Sequence, residues 1–484
     1  IGAESIKFVL DHTGKTQERF FEEISAIPRP SFHEEAIADY VVNFAKERGL
    51  EYRRDALHNV LVRKPATPGY EDHETVMLQG HMDMIHTKIP GSTFDFSNPL
   101  EFVVKDGFLK AKETTCGSDD GVAIAYMLAI LDDTELQHPA LQCGFTTAEE
   151  AGLNGALNFD CSDLKARKYI NMDGNLDGTS LVIAAGGINS EFVRPIRREV
   201  LPGAQLMEIK LWGLEGGHCA NMINKERGNA LKAAGRILLS LQKELPLRIV
   251  ALDGGNMTTI ANWSTIQVAV SPKDASKAEE IAKRIIEDFK AEHKESDPNI
   301  EFSISTSADC PQPMDEALTR DLIRLLNLLP SGLINSSLVF PGTPMTSANL
   351  EQCVTGEEEL RVRFRPRSAY ASKLEDQEAQ SRMIGEICGF EYVLHQKYFG
   401  HNVPIGSPFF QVYSQVWKEL TGKEVVATAA HFGNEIGTFM SKMPWLDMIL
   451  LVATHYDAHT PNERLDLASF DRCYECLKRI LERV

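Results

Sequence analysis

The segment DGVAIAYMLAILDD at residues 120–133 decides the predicted fold, because it is almost wholly apolar around a helix. A helix without a polar face is expected to be packed deep inside a large domain. Short apolar segments flank it and are predicted strands: TVMLQG at 75–80 before it, LQCGFTT at 141–147 and KYINMDG at 168–174 after it. Apolar strands that alternate with helices predict an α/β fold whose mostly parallel sheet is covered on both faces.

The chain is too long, at 484 residues, for one ordinary hydrophobic core, and the length suggests two or three domains. Between residues 187 and 394 the pattern becomes strand, helix, strand, helix, an order typical of a ferredoxin-like α+β module, and a further set follows. The α/β pattern returns with the buried strand WLDMILLVAT at 445–454. We therefore predict an α/β domain from residues 1–186 and 395–484, interrupted by an inserted domain of roughly two ferredoxin-like units at 187–394.

The bulk composition excludes several classes of protein. A net charge of −19, from 69 acidic and 50 basic residues, argues against a nucleic-acid partner and against anionic membranes. No segment approaches the roughly 20 apolar residues that span a bilayer, and residues 1–15 lack the basic-then-apolar layout of a signal peptide. The nine cysteines are an odd number and lie scattered along the chain, which favours reduced thiols and gives no support to a thiolate zinc site. We therefore expect a cytoplasmic protein.

Chemically active side chains stand where the predicted strands end. In open α/β sheets, ligands bind in the crevice beyond the carboxyl ends of the strands. A further acidic pair, Asp119 and Asp120, lies at the start of the apolar helix. The histidines and carboxylates that follow the four strands are His81, Asp83, Glu149, Glu150, Asp173, His455, Asp457 and His459.

Convergence of these groups would suit two divalent metal ions about 3.5–4 Å apart that share a bridging carboxylate. Nitrogen and oxygen ligands without thiolate favour zinc, with manganese or cobalt as alternatives. A nucleophilic triad is less favoured, because the chain has no GxSxG turn and no convincing Cys–His pairing. Each feature alone has a simpler interpretation, such as a helix N-cap for Asp119. The prediction therefore rests on the set as a whole.

Five short motifs also carry a family resemblance. GHMDM, GSDDG, TTAEEAG, NMDG and AHTPNE occur in the order and approximate spacing of the M20 metallopeptidases. Within that family the chain resembles the aminoacyl-histidine dipeptidases, and segments such as FEEISAIPRPSFHEEAI and GLEGGH extend the likeness over nearly the whole chain. The resemblance implies a zinc-peptidase-like catalytic domain with an inserted lid domain, and a homodimer formed through that lid.

The resemblance also implies a role for each motif residue. Its metal ligands are His81 and Asp173 for one ion, Glu150 and His459 for the other, and Asp119 as the bridge, followed by a cis peptide bond to Asp120. Asp83 orients His81 from behind. Glu149 is the general base, and because neighbouring side chains on an extended segment point in different directions, Glu150 can face a metal while Glu149 faces the attacking water.

The lid contributes three further candidates by the same resemblance. His218, in GLEGGHCANM, matches the histidine that stabilises the oxyanion and that often comes from the partner subunit. Asn262 and an arginine, either Arg365 or Arg367, are candidates for holding the terminal carboxylate of the substrate, a task that suits a planar guanidinium.

The predicted function is that of a di-zinc dipeptidase acting on small peptides, with Xaa-His dipeptides as substrates. Two alternatives stay open at this point. One is another M20 amidohydrolase, either a tripeptidase or an N-acyl amino acid deacylase. The other is a non-catalytic binding module on the same scaffold, against which the intact Glu149 argues.

Overall fold

The computed structural model describes residues 8–11 and 14–484, and contacts divide the chain into two units. The first unit consists of Ile1–Val182, Val403–Thr428 and Asn434–Val484, and the second of Ile183–Asn402 and Ala429–Gly433. Much of the N-terminal stretch considered for a signal peptide lies outside the described residues. Among the helices of the described residues, none has the length and apolar character needed to cross a bilayer.

The first unit is built on a six-stranded sheet. From edge to edge its strands are β1 (Glu51–Arg54), β2 (Val60–Lys64), β6 (Leu141–Thr146), β3 (Val76–His81), β7 (Lys168–Asn171) and β20 (Asp447–Leu450). Strands β6, β3, β7 and β20 are parallel, while β1 and β2 add an antiparallel edge. Every side chain of β3 and β6 is buried, as a sheet covered on both faces requires. The predicted mostly parallel central sheet is confirmed.

The apolar segment that decided the prediction forms helix α3 (Ser118–Asp132). Its side chains from Val122 to Ile130 are at most 1% exposed, because neighbouring helices and β3 cover every face. The hydroxyl of Tyr126 donates a hydrogen bond to the carbonyl of Phe470 at 2.6 Å, so the one polar group along this stretch is satisfied. The other helices of the unit are α1 (Thr16–Ser25), α2 (Glu35–Glu47), α4 (Asn154–Leu157), α9 (Pro408–Thr421), α10 (Glu435–Lys442) and α11 (Leu467–Arg483).

A small antiparallel sheet in the first unit places the C-terminal histidines. It contains β4 (Phe102–Lys105), β5 (Phe108–Ala111), β21 (His455–Tyr456) and β22 (Arg464–Asp466). Strands β21 and β22 pair as a hairpin, so the segment 457–463 between them forms a closed loop that carries His459. Strands β8 (Thr179–Ala184), β18 (His401–Asn402) and β19 (Val426–Ala429) lie where the chain passes from one unit to the other.

The second unit contains two ferredoxin-like modules in one sheet. Its helices are α5 (Ala230–Glu244), α6 (Ala275–Glu292), α7 (Glu316–Leu328) and α8 (Ala371–Cys388). Its strands are β9 (Gly186–Pro195), β10 (Gln205–Trp212), β11 (Arg248–Gly255), β12 (Ser264–Val270), β13 (Glu301–Ser307), β14 (Gly332–Ser336), β15 (Pro344–Thr355), β16 (Glu359–Ser368) and β17 (Glu391–Tyr398). The strands follow the order β13-β10-β12-β11-β15-β16-β9-β17, and β14 pairs with β15.

Both modules share one topology. The first has the chain order β10-α5-β11-β12-α6-β13, and the second has β9-α7-β15-β16-α8-β17 once the first is recognised as an insertion after β9. Strands β11 and β15 join the two modules edge to edge. The apolar faces of the four helices form one core with the sheet. The inserted α+β architecture predicted from the sequence is confirmed.

Candidate functional site

The site begins where the parallel strands of the first unit end. Strand β3 ends at His81, β6 is followed by Glu149 and Glu150, and β7 is followed by Asp173. These strands are neighbours in the order β6-β3-β7, so their carboxyl ends share one edge of the sheet. That shared edge is why residues almost a hundred positions apart in sequence meet.

Asp119 lies between the two predicted metal-binding histidines. Its Oδ1 is 3.0 Å from Nε2 of His81, and its Oδ2 is 3.0 Å from Nε2 of His459. The same His459 nitrogen lies 2.7 Å from Oε1 of Glu150, and Nε2 of His81 lies 3.7 Å from Oδ2 of Asp173. The two carboxylate oxygens of Asp119 therefore face different ligand groups, as a bridging ligand requires.

The ligand atoms form three overlapping clusters, in each of which all atoms lie within 4.8 Å of one another. The structure thus brings together the five ligands predicted from the sequence, and it adds Glu149 at the edge of the set. The three clusters are His81–Asp119–Asp173, Asp119–Glu150–His459 and His81–Glu149–Glu150.

The electrostatics of the cluster fit divalent cations. Burial raises the pKa of Glu149 and of Asp173 well above the ordinary range, and neighbouring carboxylates add to that rise. Contacts with Asp119 and Glu150 raise the pKa of His459 to about 10. Within the three clusters, four carboxylates are therefore crowded together with the two imidazoles of His81 and His459. Cations coordinated by these oxygen and nitrogen atoms would relieve the repulsion, and the donor set contains no thiolate.

The backbone at Asp119 departs from a helix start. Gly117 precedes helix α3 with φ of 75°, and Asp119 and Asp120 have non-helical dihedral angles. The peptide bond between them is cis, as the family resemblance implies. The carboxylate of Asp120 accepts a hydrogen bond from the backbone N–H of His81 at 3.2 Å, while that of Asp119 faces the histidine rings. Asp119 is therefore not an N-cap.

Asp83 supports three members of the cluster at once. Its side chain is fully buried, and its Oδ1 lies 3.2 Å from Nδ1 of His81. Oδ1 also accepts the backbone N–H of Glu149, and Oδ2 accepts that of Glu150, each at 3.1 Å. The hydroxyl of Ser31 donates to Oδ2 at 2.7 Å. Asp83 thus lies where it can orient the imidazole and fix the backbone of both glutamates.

Sequence reasoning assigned no role to Glu463, yet this residue holds the segment that ends at Asp119. Its side chain is 2% exposed. It accepts four hydrogen bonds of 2.8–3.2 Å, from the backbone N–H groups of Cys116, Gly117 and Asp119 and from the hydroxyl of Ser118. The signal that could have found it is its place in the motif AHTPNE, four residues after His459.

Arg29 was also missed and holds the same segment from another side. Its side chain is 0% exposed, and its guanidinium donates to the carbonyls of Gly117 at 3.0 Å and of Met82 at 2.8 Å. A buried cation is costly unless carboxylates lie nearby, and Glu463 and Asp83 supply them. The segment IPRPS carried the family resemblance, but nothing local in it predicted that its arginine is buried.

In the second unit, a backbone hydrogen bond defines which ring nitrogen of His218 carries the proton. Its Nδ1 accepts the backbone N–H of Ala220 at 3.1 Å, which places the ring proton on Nε2. Partial burial and the nearby guanidinium groups of Arg367 and Arg365 lower the pKa of His218. The imidazole is therefore neutral at physiological pH and presents an N–H donor from an exposed position.

The two candidate arginines of the second unit differ in their partners. Arg365 forms an ion pair with the fully buried Glu351, its Nε lying 3.2 Å from Oε2. Arg367 is 5% exposed, and among the described residues its guanidinium contacts the hydroxyl of Tyr398 and the thiol of Cys219 but no carboxylate. The third lid candidate, Asn262, is partly exposed, and its side chain lies near Gly216.

Comparison with known proteins agrees with the family resemblance. Residues 77–483 match the family described as Peptidase family M20/M25/M40. The cytosol non-specific dipeptidase of Escherichia coli is 30% identical over 469 residues, which cover 96% of each chain.

Solved structures extend the comparison to the fold. The aminoacylhistidine dipeptidase of Vibrio alginolyticus is 30% identical, covers 97% of this chain and 96% of its own, and superposes with a TM-score of 0.87. A tripeptidase of Staphylococcus aureus, at 15% identity and a TM-score of 0.54 with 99% of both chains covered, shares the fold alone. The family predicted from five motifs is confirmed. The chain belongs to Peptidase family M20/M25/M40 and is a hydrolase that acts on peptide bonds.

Proposed function

We propose that this protein is a di-zinc dipeptidase that hydrolyses Xaa-His dipeptides. The observation that carries the proposal is the position of Asp119 between His81 and His459, with Asp173 near the first histidine and Glu150 near the second. Relatives similar over 96% or more of this chain, a non-specific dipeptidase and an aminoacylhistidine dipeptidase, support a dipeptide as substrate. The second supports histidine as its C-terminal residue.

Two divalent cations held by these five ligands would polarise the scissile carbonyl and acidify the attacking water. Nitrogen and oxygen donors favour zinc, and manganese or cobalt are the alternatives. Asp83 keeps the His81 imidazole in the orientation that a ligand needs, because it lies against the opposite ring nitrogen.

Glu149 acts as general base and then general acid. Its carboxylate lies at the edge of the cluster, 3.6 Å from the His81 imidazole, and its backbone is fixed by Asp83. It takes a proton from the attacking water and passes that proton to the leaving amine. The adjacent Glu150 faces His459 instead, so neighbouring glutamates serve different tasks.

His218 stabilises the oxyanion that forms when water attacks the carbonyl. Its neutral imidazole donates a hydrogen bond from Nε2, and this hydrogen bond stabilises the developing negative charge. Proton transfer is left to Glu149. The family resemblance implies that this histidine can come from the partner subunit.

His218→Ala is expected to lower kcat by about 10²–10³-fold, the cost of losing one oxyanion donor. The KM for a dipeptide should change little, because the donor acts mainly in the transition state. Steady-state kinetics with an Xaa-His dipeptide measure both constants, and metal analysis provides the control, since the metal content should equal that of the wild type. A wild-type rate would remove His218 from the mechanism.

Arg367 is the proposed partner of the substrate carboxylate, with Asn262 beside it in the role that the resemblance implies. Arg367 is buried and contacts no carboxylate within the part of the chain that the structure describes, so its guanidinium is ready to bind an anionic ligand. Arg365 already has a carboxylate partner in Glu351.

Arg367→Ala should raise the KM for dipeptides by about 10–10²-fold, since a charge-assisted hydrogen bond contributes about 1.5–3 kcal/mol. The matched control is the same dipeptide with a C-terminal amide, which lacks the charge that Arg367 binds. Wild-type protein should prefer the acid over the amide, and the variant should lose most of that preference. An unchanged ratio of kcat/KM for acid and amide would contradict the assignment.

The proposal extends to domain roles and cellular context. We assign residues 1–186 and 395–484 to catalysis and residues 187–394 to a lid through which a homodimer forms. All nine cysteines are free, and the Escherichia coli relative is named as cytosolic, which supports the cytoplasm as the place of action.

A substrate panel together with metal analysis tests the function. Purified protein loaded with zinc should hydrolyse Xaa-His dipeptides with higher kcat/KM than tripeptides or N-acyl amino acids. Elemental analysis and anomalous scattering at the zinc edge should show two ions per chain at the five ligands. Preferred cleavage of a tripeptide or an acyl amino acid would replace the dipeptidase assignment, and metal-loaded protein that cleaves nothing in the panel would favour a binding module.

A further inference from the structure

The starting observation is a buried glutamate at an irregular point of strand β15. Glu351 has 0% exposure and lies where the register of β15 against β16 shifts, between Leu350 and Gln352. Such a β-bulge turns a side chain away from the direction that regular pairing would give it. Gly255 lies against the Glu351 carbonyl so closely that a Cβ there would come within 2.1 Å of it.

The carboxylate of Glu351 has two partners. Arg365 binds it with Nε at 3.2 Å and Nη2 at 3.4 Å. The second partner is the backbone N–H of Thr258, which donates to Oε1. Thr258 has φ of 62°, in the left-handed region that β-branched residues rarely occupy. A backbone in that conformation persists only when its surroundings hold it, and Glu351 supplies one of the hydrogen bonds that do so.

The segment that Glu351 holds lies against the segment that carries His218. The carbonyl of Thr258 accepts the backbone N–H of Cys219 at 3.0 Å, and the N–H of Ile260 donates to the carbonyl of Gly217 at 2.9 Å. His218 itself forms an isolated β-bridge with Thr259. The backbone on both sides of His218 is therefore tied to residues 258–260.

A second side chain of β15 reinforces this arrangement. Asn349, which is 2% exposed, donates from Nδ2 to the carbonyl of Thr259 at 2.8 Å. Two buried side chains of β15, Glu351 and Asn349, thus bind consecutive residues of the segment 258–260. The backbone of that segment contacts the backbone around His218.

We propose that Glu351, held by Arg365, is a positioning residue for His218. The inference rests on the proposed role of His218 as oxyanion donor and adds what keeps that donor in place. An oxyanion donor is effective only when its N–H is already fixed where charge develops. Thr258 and Arg365 both donate to the Glu351 carboxylate. A glutamine has one acceptor oxygen and would turn an N–H donor towards one of these two partners, so that the support of the His218 backbone is weakened.

The competing interpretation is that Glu351 and Arg365 form an ordinary buried ion pair that only stabilises the fold. A matched residue, Glu191, distinguishes the two interpretations. Glu191 is 2% exposed and pairs with Arg361 and Arg363 at 2.8 and 2.7 Å in the same sheet, so it offers another buried carboxylate held by arginine, although its arginines are more exposed than Arg365. The hydrogen bonds of Glu191 do not involve residues 258–260. Its loss should lower stability without a specific effect on catalysis.

The test is a double-mutant cycle of Glu351→Gln with His218→Ala. Glu351→Gln alone should lower kcat by about 10–10²-fold, because misplacing a catalytic group by about 1 Å can cost roughly 10²-fold. In the His218→Ala background the same change should lower kcat by less than about threefold, since the group through which it acts is absent. KM and the melting temperature are measured for all variants, and Glu191→Gln should lower the melting temperature while kcat stays at the wild-type value.

Equal losses of kcat in both backgrounds, or no loss in the wild-type background, would overturn the inference. If Glu351→Gln shows no cooperative thermal transition, Asn349→Ala takes its place in the cycle, because Asn349 binds the neighbouring carbonyl of the same segment. A wild-type rate for His218→Ala alone overturns both the role of His218 and the inference. A lower rate for that variant with no coupling to Glu351 overturns the inference only.

Discussion

Glu149→Gln should lower kcat by about 10²–10⁴-fold, the contribution of a positioned general acid–base group, while both metal ions stay bound. The amide has nearly the shape of the carboxylate, and the five proposed ligands are untouched. It cannot accept a proton from water, however, so the attacking nucleophile is no longer generated efficiently and the leaving amine receives no proton. Rapid-quench or steady-state kinetics with an Xaa-His dipeptide measure kcat, and elemental analysis measures zinc.

Glu150→Gln provides the matched control, because it makes the same chemical change at the adjacent residue. Glu150 lies 2.7 Å from His459 in the cluster of Asp119, so its loss should lower zinc content as well as activity. Activity loss with full metal content in one variant and metal loss in the other would assign the two roles. The reverse pattern would show that the roles of the two glutamates are exchanged.

Asp119→Asn should abolish measurable dipeptidase activity and reduce the zinc content to at most one ion per chain. The carboxylate faces His81 with one oxygen and His459 with the other, whereas an amide keeps only one oxygen and no charge. Loss of a supporting partner behind a ligand already costs about 10–100-fold in metal affinity, and loss of a shared ligand should cost more. Zinc content after dialysis against a chelator of known affinity measures the effect independently of turnover.

The adjacent Asp120→Asn is the control for this substitution. Asp120 accepts a backbone N–H from His81, and an asparagine oxygen can accept the same hydrogen bond. Its zinc content should therefore stay near that of the wild type. Full zinc occupancy in Asp119→Asn itself would refute the bridging role.

Much of the catalytic unit could be predicted from local sequence. The apolar segment at 120–133 indicated a fully buried helix, and the apolar segments around it indicated parallel strands. Side chains that directly follow such strands lie at one edge of the sheet, so their convergence was predictable, whereas the pairing of His81 with Asp173 came from the family resemblance. The two ferredoxin-like modules were predictable from the order of strands and helices, because that order reflects backbone periodicity.

The residues that support the site could not be predicted in the same way. Glu463 accepts the backbone N–H of Cys116 across 347 positions in sequence, and no periodic pattern encodes a contact between two loops. Arg29 occupies a motif, but its burial depends on the carboxylates that the fold brings around it. Glu351 acts from a β-bulge, which is a local irregularity in strand pairing and leaves no signature in residue type.

The sequence by itself determined the fold class, the family and the set of candidate ligands, because apolar periodicity and short motifs are properties of neighbouring residues. Only the tertiary structure decided which carboxylate oxygen of Asp119 faces which histidine, which nitrogen of His218 carries the proton, and which arginine is already paired. Each of these depends on hydrogen bonds and charges from segments distant in the chain, and their geometry exists only after the core has packed.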